Sequence, residues 1–219
     1  MRLPNDTQRS VIIGVTGSGK THAAIWQLSL RSIDQVPWVI YNYKGDELID
    51  NIPHAKHIGL DDLPIKPGVY VVHPTPVDEP DVQAHLWAIW GRGSTGIVFD
   101  EGYMMGRNNH PFRAIQTQGR SKHIPAITLT QRPAWVDPFV FTEADFIQVF
   151  RLNHKRDKDR VAEFSPIDME KQLPPFHSHY WDVGANSGSG SHVIMRPVPE
   201  MTTIYATFHR RLGRKPEEV

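Results

Sequence analysis

The sequence predicts an α/β fold with a mainly parallel sheet and helices on both faces, and three observations carry that prediction. Short apolar runs that read as buried strands alternate with helical patterns from residue 10 to residue 150, the order expected of a parallel sheet rather than of hairpins. The first run, Ser10-Val11-Ile12-Ile13, meets the first helical segment through Gly14-Val15-Thr16-Gly17-Ser18-Gly19-Lys20-Thr21, a complete G-x-x-x-x-G-K-[ST]. A later run, Gly96-Ile97-Val98-Phe99, ends in two adjacent carboxylates, Asp100 and Glu101. At 219 residues the chain can bury a sizeable core, and two full domains would be cramped, so one domain spanning 1–219 is expected.

Taken in order, His22 to Leu30 continues the glycine-rich turn as a helix, and Trp38-Val39-Ile40-Tyr41 is a second strand that ends in Asn42-Tyr43-Lys44-Gly45-Asp46. From Leu48 to Pro67 there is no clean period, and a loop with one short helix is expected. Gly68 to Val72 reads as a third strand, and Asp78 to Trp90 as an amphipathic helix opened by acidic residues and burying Leu86, Ile89 and Trp90. After the strand at Gly96, a helix is expected over Pro111 to Lys122, then strands over Ile124 to Thr130 and Phe146 to Phe150. Beyond residue 160 the expectation is a short strand-rich extension, 161–219, with strands at His192 to Met195 and Thr203 to Phe208 and an exposed loop at Gly184 to Gly190.

Composition narrows the function. Lys plus Arg and Asp plus Glu number 24 each, so any polyanion partner must be met by a local patch. Two stretches qualify: Arg151 to Arg160, with five basic residues in ten, and the tail Arg210 to Lys215. The absence of cysteine removes disulfides and Cys-based zinc sites. No apolar run approaches the roughly 20 residues that span a bilayer, and the polar start Met1 to Arg9 does not read as a signal peptide. A soluble, intracellular protein is expected. The pairs His54/His57 and His177/His179 lack the i, i+4 spacing of a helical metal pair, and histidine ligation is not expected.

The chemistry sits in the two landmark motifs. Glycines let the loop backbone bring successive N–H groups against phosphate oxygens, and the helix beginning there aims its positive dipole end at the anion. Gly14, Thr16, Gly17, Ser18, Gly19, Lys20, Thr21 and His22 are therefore the residues expected to hold a nucleotide, with Lys20 on the β- and γ-phosphates and the Thr21 hydroxyl on Mg²⁺. The strand ending in Asp100-Glu101 reads as a Walker B strand, with Asp100 on the Mg²⁺ shell and Glu101 polarising the attacking water. Gln131, at the end of the Ile124 strand, is placed to sense the γ-phosphate, with ordinary turn chemistry beside a Pro as the alternative reading.

The order of these motifs, followed by Thr130-Gln131-Arg132-Pro133, resembles the FtsK/HerA superfamily of DNA-pumping ATPases. The resemblance extends to Gly119-Arg120-Ser121-Lys122-His123 ahead of the Ile124 strand, and it covers roughly residues 8 to 160. It implies a P-loop NTPase fold of the RecA/ASCE type, a three-layer sandwich in which the Thr128 strand lies between the P-loop strand and the Asp100 strand. It also implies that Arg120 acts in trans as an arginine finger on a neighbour's ATP, and hence a homo-oligomeric ring, a hexamer. In length, and in lacking large additional domains, the chain is similar to the genome-packaging ATPases of membrane-containing icosahedral viruses. By that resemblance the expected activity is Mg²⁺-dependent ATP hydrolysis that moves double-stranded DNA into a capsid, with capsid or portal proteins as partners, in the host cytoplasm or at the packaging vertex of the virion. The alternatives are a nucleotide-gated phage assembly ATPase that pumps nothing and a P-loop small-molecule kinase. Kinases generally need neither a Glu directly after the Walker B Asp nor an arginine and Gln at this spacing.

Overall fold

The computed structural model describes residues 1–106 and 108–213. Its elements are β1 (Ser10–Ile13), α1 (Lys20–Ser29), β2 (Pro37–Asn42), α2 (Glu47–Asp50), β3 (Lys56–His57), β4 (Gly68–Val72), α3 (Glu79–Arg92), β5 (Gly96–Asp100), α4 (His110–Gln118), β6 (Ala126–Thr130), α5 (Phe139–Thr142), β7 (Phe146–Val149), α6 (Lys155–Ala162), β8 (Ser178–Asp182), β9 (Ser191–Met195) and α7 (Met201–Leu212). They build one sheet in the order β3-β4-β2-β5-β6-β1-β7-β8-β9. Every pairing from β3 to β7 is parallel, and β8 and β9 add antiparallel to the β7 edge. The strand carrying Thr128 lies between β1 and β5, as the resemblance implied.

Because successive strand residues face opposite sides, the sheet feeds two cores. Val11, Val39, Tyr41, Ile97 and Phe99 pack with Leu86 and Ile89 of α3 and Phe112 and Ile115 of α4. Ile12, Ile40, Val98 and Leu129 pack on the other side with Ala24 and Leu28 of α1 and Ile204 and Phe208 of α7. The result is the expected three layers. Local sequence sets the helix limits: the Asn109 side chain caps α4 by accepting from the Phe112 N–H at 2.9 Å, and α3 stops at Gly93, whose φ is +72°.

Three expectations need correction. Thr203 to Phe208 lies within α7 rather than in a strand. The β-branched Thr202-Thr203-Ile204 favours a strand locally, but Ile204 and Phe208, four residues apart, bury one helical stripe against α1. The extension beyond residue 160 is therefore two antiparallel strands and a helix. Trp90 is only partly buried, and α3 instead buries Val82, His85, Leu86 and Ile89. The segment Leu48 to Pro67 contributes β3 at the sheet edge as well as the end of α2. The loop over Gly184 to Gly190 is mostly exposed, as expected. Among the described residues no helix is long and apolar enough to cross a membrane.

Candidate active site

Parallel strands bring the carboxyl ends of β1, β2, β5 and β6 to one edge, the position where open α/β sheets bind ligands. Gly14, Asn42, Asp100 and Gln131 all lie there, and Asn42 pairs in register with Asp100. The P-loop leaves β1 with its Gly14 N–H donating to the Thr130 carbonyl at 3.2 Å. Gly17 and Gly19 then take φ of +74° and +100°, values that side chains disfavour. Gly19 is the residue from which α1 starts, and it has no side-chain cap, so the N–H groups of the first turn face the loop.

Lys20 opens α1 and is buried, with its ammonium donating to the Val15 carbonyl at 3.1 Å. Burial, followed by the nearby Lys44 charge, lowers its pKa to about 8 against the pull of Asp100 and Asp46. The buried Ser18 hydroxyl has no hydrogen-bond partner among the described residues. Thr16 donates to the Gln131 side-chain oxygen at 2.7 Å, which ties the P-loop to the end of β6. Thr21 and His22 are half-buried on the first turn, and the His22 ring contacts the Pro199 carbonyl at 2.8 Å.

Asp100 ends β5 with 2 % exposure. Burial pushes its carboxyl up to about 6, an effect that the Lys44 and Lys20 charges oppose and Asp46 reinforces. Its Oδ2 is buried without a partner among the described residues. Glu101 is fully buried in the left-handed region, at φ 64° and ψ 66°, a conformation that costs a non-glycine residue about 1–3 kcal/mol. One carboxylate oxygen, Oε1, is ion-paired with Lys44, while Oε2 has no partner among the described residues. The strained turn thus aims a carboxylate with one free oxygen from the same strand end that carries Asp100.

Arg120 lies in the 3₁₀ turn Gly119–Lys122 after α4 and is exposed. Its guanidinium makes no ion pair or hydrogen bond among the described residues. The basic stretch Arg151 to Arg160 runs through α6, where Lys158 pairs with Glu170 at 2.9 Å and Arg160 with Glu163 at 2.7 Å. Arg151, Lys155 and Arg156 stay exposed. Of the basic tail, Arg214 and Lys215 lie outside the described residues.

Two features of the site were not assigned from sequence. Lys44 sits in the turn after β2, and only its place at a strand end hinted at a role. The second feature is a cavity of about 580 Å³ between Gly17 and Ser18 of the P-loop and a wall that includes Phe150, Leu173, Phe176 and His179. Residues 169–177 carry no periodic pattern, and their contact with the P-loop depends on β8 folding back onto β7. Histidines also meet in unexpected pairs, His54 with His209, His57 with His73 and His179 with His192, each joining different elements.

No family model matches the chain. Among solved structures it is similar to the genome packaging NTPase B204 of Sulfolobus turreted icosahedral virus 2 in complex with AMPPCP, at TM-score 0.69 and 20% identity over 89% of this chain and 100% of that one. It is also similar to the cytoplasmic domain of the type VII secretion ATPase EccC of Thermomonospora curvata, at TM-score 0.64 and 15% identity over 96% of this chain and 28% of that one. At these identities the two structures show the shared fold. The sequence likeness is far stronger to the DNA packaging ATPase P9 of Enterobacteria phage PRD1, which is 45% identical over 226 aligned residues, 98% of this chain and 97% of P9. The chain belongs to the family of viral DNA packaging ATPases that includes P9.

Proposed function

We propose that residues 1–219 act as one Mg²⁺-dependent ATPase domain that drives double-stranded viral DNA into a capsid, as a hexameric ring at the packaging vertex within the host cell. The observation that carries the hydrolytic part is Glu101, a buried carboxylate one residue beyond Asp100 whose Oε2 has no partner among the described residues. A base at that place accepts the proton of a water attacking the γ-phosphate, which general-base catalysis values at about 10²–10⁴ in rate. Lys44 holds the other oxygen and so fixes the direction of the carboxylate.

The P-loop N–H groups and Lys20 would bind the triphosphate, Gln131 would report the γ-phosphate to Thr16, and the cavity walled by Phe150 and Phe176 would take the base and ribose. The residues present suit Mg²⁺: Asp100 Oδ2 is buried without a partner among the described residues, and the Thr21 hydroxyl stands one residue after Lys20. Bound there, the ion would neutralise charge on the β- and γ-phosphate oxygens. Arg120, exposed and unpaired among the described residues, is available to a neighbouring subunit, and a site completed by a neighbour needs a head-to-tail interface that closes into a ring. DNA and capsid or portal proteins are the partners in this reading, which the P9 likeness supports.

The test separates binding from turnover. Glu101→Gln keeps the shape and an amide oxygen that can still accept from Lys44, and it removes the proton acceptor, so ATP affinity should hold while turnover falls at least a hundredfold. Equal losses of affinity and turnover would contradict the role given to Glu101.

A further inference from the structure

Asp50 is the last residue of α2, His57 the last of β3, and His73 the residue that follows β4. In the parallel β3–β4 pair His57 is opposite Val71, so His73, two residues further on, emerges from the same face. The Nδ1 of His57 and the Nε2 of His73 are 3.1 Å apart, His73 Nε2 is 3.2 Å from Asp50 Oδ1, and the three donor atoms lie within 4.8 Å of one another. One ring nitrogen thus faces a carboxylate oxygen, which only accepts, and a second ring nitrogen, whose role depends on its tautomer. A single Nε2–H, confined to the ring plane, serves one of them well. Unprotonated, the same nitrogen turns its lone pair toward a carboxylate. A cation among the three donors resolves both arrangements at once.

We propose that Asp50, His57 and His73 bind a borderline divalent transition ion, with Zn²⁺ the best fit. Two imidazoles and a carboxylate suit zinc, whereas Mg²⁺ and Ca²⁺ prefer all-oxygen sets. Tetrahedral zinc at its usual 2.0–2.2 Å bond lengths separates its ligand atoms by about 3.3 Å, close to the two short spacings here. A supporting contact is also in place, since Asn42 Nδ2 donates to Asp50 Oδ1 at 2.9 Å. Both histidines are exposed, which leaves a fourth position for water. The ion ties α2 and the edge strand β3 to β4. It also anchors one end of the segment from Asn42 to Asp50, which carries Lys44, the partner of Glu101.

The test is calorimetric titration of the full chain, stripped by chelator, with ZnCl₂ in excess Mg²⁺. One equivalent should bind, and Asp50→Ala, His57→Ala and His73→Ala should each weaken it at least tenfold. His54→Ala and His179→Ala, which break the other histidine pairs, should leave it unchanged. Co²⁺ in place of Zn²⁺ should give visible d–d absorption that His73→Gln abolishes, a readout independent of any heat of folding. Failure of the wild-type chain to bind Zn²⁺ would overturn the assignment. So would an equivalent that survives both His57→Ala and His73→Ala.

Discussion

Replacing Asp100 by Asn should make the nucleotide-free protein more stable while destroying its hold on Mg·ATP. Burial raises the Asp100 carboxyl from 3.8 to about 6, so the folded state resists ionising it. A group raised in this way contributes its full stability below the unfolded pKa and loses it as pH climbs through the folded one, between about 4 and 6. Two units correspond to about 3 kcal/mol, and in a chain of this size that is a shift in Tm of about 6–12 °C. The assay is thermal unfolding at pH 4, 5, 6 and 8 without nucleotide, on wild type and Asp100→Asn. The two should converge near pH 4, and the Asn variant should be the more stable at pH 8. The reverse dependence belongs to binding, because metal coordination needs the ionised carboxylate, so Mg²⁺-dependent affinity should fall below pH 6 in the wild type. Parallel stability profiles from pH 4 to 8, or an Asn variant less stable at pH 8, would refute the burial argument.

Lys44→Met strips Glu101 Oε1 of its partner. With Lys44 itself 38% exposed and its charge partly screened, the loss should be about 1–3 kcal/mol in urea unfolding. Adding Glu101→Gln should recover most of that loss, and a loss that persists in the double variant would contradict the pairing. Arg120→Ala should lower turnover by about 10³–10⁵ with little change in nucleotide affinity, and mixed rings with Lys20→Ala subunits should regain activity. Two inactive variants that stay inactive in verified mixed rings would refute action in trans.

Much of the fold was legible because its signals are local. The P-loop occupies eight consecutive residues, β4 and β5 are short apolar runs, and parallel β-strands of an α/β chain deliver their carboxyl ends to one edge by topology alone. Asp100 and Gln131 could therefore be placed from their positions at strand ends. Lys44, Phe176 and His73 could not, since their roles come from partners 57, 26 and 16 residues away, at Glu101, Phe150 and His57. The helix over Met201–Leu212 was hidden for a related reason: Thr202 to Ile204 carry strand preference, and only the α1 surface reveals that Ile204 and Phe208 share a helical face. The histidine pairs show the same limit, because spacing along the chain excluded a helical metal pair and said nothing of neighbours across β3 and β4.

Coupling of ATP turnover to double-stranded DNA is measured by the steady-state ATPase rate of the assembled protein with and without it. DNA should stimulate turnover, and the stimulation should be lost in Glu101→Gln. A rate indifferent to DNA would contradict coupling and favour a nucleotide-gated assembly switch, and phosphate transfer to a small metabolite in place of water would contradict hydrolysis itself.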